Sequence, residues 1–153
     1  MCNPIETEVM SVSYQPIVLY PYIDIPTVNG RIYPTDVLKA AFERYRRDDI
    51  WVELLNTVDD NQSDVEVRLN NVIGTISKSS VEFDEESKCI KGTLKLMAFN
   101  NEAIQIYKNA IPNPVYTLRG VGNLKLNQNT NEYEVTNYQL ISVSVIENEG
   151  QLK

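Results

Sequence analysis

The stretch VYTLRGVGNLKLNQNTNEYEVTNYQLISVSVI, Val115 to Ile146, decides the fold. Its flanks, VYTLRGVGNLKL and YEVTNYQLISVSVI, are rich in β-branched and aromatic residues, while NQNTNE between them is wholly polar. That pattern predicts two strands joined as a hairpin. Alternation in the second strand sets Leu140, Ser142 and Ser144 on one side and Ile141, Val143 and Val145 on the other. The first strand carries Thr117 two residues before Arg119, with Gly120 and Gly122 just beyond. A hydroxyl becomes a nucleophile only when a nearby base takes its proton, most often a histidine. The chain of 153 residues contains no histidine.

Upstream, PIVLYPYIDI (Pro16 to Ile25) reads as a strand, with Pro21 marking an edge or a bulge. Asn29-Gly30 is a turn pair, and Pro34 suits a first helical turn. Val37, Leu38, Ala41, Phe42 and Tyr45 recur at helical spacing, predicting a helix over 34–47, with Thr35 and Asp36 near its start as capping groups. VEVRLNNVIGTI and CIKGTLKLMAF alternate as strands, with FDEESK as the turn between them. NNEAIQIYKNAI predicts a second helix, ended by Pro112 and Pro114. The order points to an α+β chain: a small, mainly antiparallel β-barrel or bent sheet with two flanking helices. Residues 1–15 have little core pattern and read as an N-terminal arm, leaving 16–153 as one domain.

Composition narrows the function. The net charge of −7 opposes a phosphate backbone, so nucleic acid is not an expected partner. Arg44, Arg46 and Arg47 fall at the end of the first helix, where cations complement exposed carbonyls. No apolar run is long enough for a membrane helix, and the start MCNPIETEVM lacks the pattern of a secretory signal. Cys2 and Cys89 lie far apart and, without histidine, do not make a zinc site. Both are expected as inert thiols. DDNQSD (Asp59 to Asp64) has oxygens at alternate positions, but Asp64 stands where a calcium loop needs glycine and Asn70 where it needs glutamate. No metal and no cofactor is expected.

Three separated pieces resemble the prohead (capsid maturation) proteases of tailed phages, whose fold is shared with herpesvirus assemblin. Asn29, Gly30, Arg31, Tyr33 and Pro34, followed by a helix, resemble the family's Arg-x-Tyr-Pro segment. VELLNT (Val52 to Thr57) lies where the family carries Gly-Glu-Leu-x-His-Pro, and TLRGVG (Thr117 to Gly122) resembles its Ser-Ser-Arg-Gly-x-Gly strand. YQLISVSVIENE resembles the closing strand. Two motifs in compatible order are harder to reach by chance than either alone.

On that register the family's histidine falls at Asn56, its serine nucleophile at Thr117, the neighbouring serine at Leu118 and its third catalytic position at about Ser144. An amide has no useful proton affinity, so Asn56 cannot serve as a general base. The resemblance therefore implies a degenerate member without a catalytic residue, in which Asn29, Gly30, Arg31, Tyr33, Pro34, Arg119, Gly120 and Gly122 persist as scaffold. It implies an auxiliary or decoration protein of a phage capsid, assembled in the host cytoplasm, with the major capsid protein or other head proteins as partners. Homo-oligomerisation stays open. The alternative is a pseudoprotease that regulates assembly. Arg119, with five donors, is expected to be anchored by hydrogen bonds.

Overall fold

In the computed structural model the described residues are 13–27, 30–54, 67, 69–97, 101–111 and 113–146. The hairpin is its longest pairing. β7 (Val115–Asn127) runs antiparallel to β8 (Glu132–Ile146), and the polar residues between them form the turn, with Asn131 at φ 61°. Asparagine tolerates that left-handed conformation better than most residues.

β8 is not regular. Arg119 pairs with Ser142 but Gly120 pairs with Leu140, so Ile141 is an extra residue, and Thr136 is another. Each bulge shifts the two-residue period by one. As a result Val135, Tyr138, Leu140, Val143 and Val145 all join one core, while Ser142 and Ser144 face the other way. Strict alternation put Leu140 on the side of the two serines. The bulge at Ile141 moves it to the side of Val143 and Val145.

The remaining strands are β1 (Ser13–Tyr20), β2 (Arg31–Ile32), β3 (Asp49–Leu54), β4 (Val72–Ser77), β5 (Glu82–Asp84) and β6 (Cys89–Leu96). They order as β1-β6-β4-β3-β8-β2, with β5 beside β6 and β7 beside β8. Pairings are antiparallel except for β2 and β3, which each run parallel to β8. The sheet curls into a half-barrel, so β1 and β7 approach one another without sharing a ladder. Tyr107 of α2 (Asn101–Ala110) fills that seam: its hydroxyl accepts from Gln15 Nε2 on β1 at 2.8 Å and lies 2.7 Å from the Tyr116 hydroxyl on β7.

β1 opens at Ser13 and ends at Tyr20, earlier on both sides than Pro16 to Ile25, because Pro21 breaks the ladder and only Ile23 bridges beyond it. Within VEVRLNNVIGTI, Leu69–Asn71 forms a short 3-10 turn and β4 runs from Val72, while Val65, Glu66 and Arg68 lie outside the described residues.

α1 (Thr35–Arg44) buries Leu38, Ala41 and Phe42 against the core. Each large side chain so buried contributes about 1.5–3 kcal/mol. The helix is shorter than 34–47, because the chain turns extended at Tyr45. At its start Asp36 accepts from the Val37 backbone N–H at 3.0 Å, and a second acid adds to that support. Pro34 occupies the cap position without a capping side chain, and Asp24, eleven residues upstream, accepts from the Thr35 backbone N–H at 2.9 Å and from its hydroxyl at 2.7 Å. An anion there satisfies an orphan donor and complements the helix dipole.

Candidate functional site

The non-core face of β3, β8 and β7 carries a row of buried polar residues. Period two puts Glu53 on the face opposite Val52 and Leu54, and the register sets Glu53 beside Ser144 and Ser144 opposite Thr117. Two residues along, Ser142 stands opposite Arg119. Glu53, Ser142 and Ser144 are buried, Thr117 and Arg119 half-buried. Leu118 points the other way and packs on the core.

Thr117 and Ser144 are therefore cross-strand neighbours, as the register of the resemblance requires of its second and third positions. Asn56 lies outside the described residues, as do Val28, Asn29, Cys2 and the Asp59–Asp64 run. Glu53 and Arg119 are the ionisable groups of the row. Arg119 Nη1 donates to Glu53 Oε2 at 2.9 Å, with the carboxylate side chain only 3% exposed. The guanidinium engages one oxygen of that carboxylate in a charge-assisted bond. The Ser142 and Ser144 hydroxyl oxygens have no hydrogen-bond partner among the described residues. Cys89 is a free, buried thiol on β6.

The other motif residues build the scaffold behind this row. Gly30 sits at φ 74°, its N–H donating to the Thr27 carbonyl at 2.8 Å, which closes the turn before β2. Arg31 begins β2 and pairs with Tyr133. Gly120 and Gly122 lie on the core face beneath Tyr138: a Cβ on Gly120 would meet Tyr138 Cζ at 2.6 Å. Tyr138 in turn meets the ring of Tyr33 edge-on at 5.6 Å, and Tyr33 meets Tyr20 at the same spacing. Arg-x-Tyr-Pro and Arg-Gly-x-Gly thus form one packing unit, with Tyr138 as the piece between them. Burial, followed by the neighbouring Tyr33 and Tyr20, pushes the Tyr138 phenol well above its ordinary pKa, so the ring stays neutral.

Glu53 and Tyr138 were not singled out from sequence. The signal for Glu53 was present: it is a lone carboxylate inside the apolar run IWVEL. A buried charge implies a buried partner. Which cation answered it lay sixty-six residues away.

No protein-family model matches the chain, and no curated protein matches it by sequence. A solved structure, the bacteriophage T4 capsid assembly protease gp21, is similar to it with a TM-score of 0.65 at 16% identity, over 88% of this chain and 81% of that one. The chain shares the fold of that protease.

Proposed function

We propose that this protein is a catalytically inactive, prohead-protease-like component of a phage head, acting as an auxiliary or decoration protein of the capsid. The observation that carries the reading is the Glu53–Arg119 ion pair beside Thr117 and Ser144, in a chain with no histidine. A hydroxyl needs a base within hydrogen-bond reach, and the carboxylate of this row is engaged by a guanidinium. The likeness to a capsid assembly protease supports the phage-head context. Scaffold residues persist where a grafted site has been lost, because packing constrains them independently of chemistry.

Two measurements test the reading. Purified protein incubated with unfolded casein and with head proteins should yield no cleavage product. Cleavage that Thr117→Ala abolishes would make it a protease after all. Mass spectrometry of purified virions should find the chain at stoichiometric level. Presence in proheads with loss from finished particles would instead assign it to regulation of assembly.

A further inference from the structure

The C-terminal end of α1 and the outer side of β8 enclose a groove that the reading above does not use. One depression, of about 290 Å³, is lined by Arg44, Arg46, Arg47 and Trp51, with Leu140 and Ile141 in its wall. A second, of about 280 Å³, is lined by Val121, Asn123 and Asn137. Arg44 and Gln139 line both, so the two are continuous. The chain carries 21 acidic against 14 basic residues, yet three arginines gather here within four positions.

Their arrangement suits an anion. Arg44 is held by donation from Nη2 to the Tyr138 carbonyl at 2.8 Å, and the Arg47 guanidinium stacks over the Trp51 ring at 3.9 Å. Both are thereby oriented without losing charge. Arg46 is exposed. None of the three makes an ion pair among the described residues, although Asp48 and Asp49 follow directly in sequence.

We propose that this groove binds an extended, acidic segment of a protein partner, its carboxylates on the arginines and an apolar side chain against Trp51. Charge complementarity with three arginines selects an anionic partner, and the apolar and aromatic wall between them suits a peptide's apolar side chain rather than a sugar-phosphate backbone. The proposal does not depend on catalytic inactivity.

Trp51 is the single tryptophan, so its emission reports occupancy of the groove directly. The full chain is titrated with the peptide Asp-Glu-Leu-Asp-Glu-Asp, with its amide analogue Asn-Gln-Leu-Asn-Gln-Asn, and with a thymidine hexanucleotide. We expect a saturable change with the acidic peptide alone, weakening steeply as salt is raised because the charges meet at an exposed surface. Arg46→Gln with Arg47→Gln should weaken binding at least about tenfold with the melting temperature unchanged, as expected when two charge-assisted bonds are lost. Gln139→Glu, which leaves every arginine in place, should weaken it as well. Equal binding of the amide peptide, tighter binding of the oligonucleotide, or no saturable change overturns the proposal. A fall in melting temperature in the double variant without peptide binding in the parent also overturns it, assigning the cations to the chain's own acidic residues.

Discussion

Arg119 and Glu53 stand on strands that do not touch each other in the ladder, β7 and β3, and their side chains meet across β8 at 2.9 Å. The pair ties the three strands of the polar row together from the side, where backbone bonds do not reach. Removing one partner strands the other charge in a buried position. Arg119→Ala should therefore destabilise the protein by about 3 kcal/mol, the low end of the range for a broken buried pair, since Arg119 keeps a fifth of its side chain exposed. The double replacement by methionine should recover most of the loss. Urea denaturation of the two single variants and the double one checks this, and losses that simply add would refute the coupling.

Gly120→Ala should cost about 1–3 kcal/mol, the usual penalty of overpacking. The added methyl meets both the Tyr138 ring and the Gln139 backbone carbonyl. A second change, Tyr138→Leu, removes the ring but not the carbonyl, so it should not restore stability. Thermal melts of the single and double variants decide it.

Asp24 makes the acid limb of the stability curve steeper. Burial disfavours its charge, but the hydrogen bonds from Thr35 and the Lys88 ammonium outweigh that, leaving its carboxyl below the usual range. Asp84 is held at about 2 by the hydrogen bond from Lys91 and then by the Ser87 backbone N–H. A carboxylate with a lowered folded pKa contributes stability above its unfolded value, near about 4, and loses it as pH falls through the folded value. Asp24→Asn should flatten the decline in stability below pH of about 4 and leave the curve above it parallel to the parent. Denaturant midpoints measured from pH 2 to 7 check the slope.

Tyr107→Phe removes the hydroxyl that joins β1 to β7 and leaves the buried Tyr116 hydroxyl without its partner. The expected cost is about 1–3 kcal/mol, that of an unsatisfied buried group. Adding Tyr116→Phe should recover part of it, because both partners are then apolar. Amide exchange should quicken first along β1 in the single variant, where the seam lacks ladder bonds of its own.

The hairpin, the two helices and the turn at Gly30 were legible because each is encoded by residues close together: NQNTNE between alternating runs, the stripe Leu38, Ala41 and Phe42, the left-handed glycine. What was not legible was set at long range. Nothing local announces that β3 lies parallel to β8, that Asp24 joins Asp36 in supporting the start of α1, or that Glu53 answers Arg119. The row of Thr117 and Ser144 was reached through the resemblance, since neither residue differs by composition from an ordinary strand residue.

The bulges in β8 bear on how such a strand tolerates change in length. Deleting Ile141, which has no partner on β7, would leave every other cross-strand pair in place. Arg119 opposite Ser142 and Gly120 opposite Leu140 would become consecutive rungs of a regular ladder, so Ser142 and Ser144 keep the outer face while Tyr138 and Leu140 keep the core. Removing Thr136 would do the same at the second bulge, making the Asn123–Asn137 and Leu124–Val135 pairs consecutive rungs. A deletion at 136 or 141 therefore removes a bulge and its local bend while leaving both faces of the sheet intact.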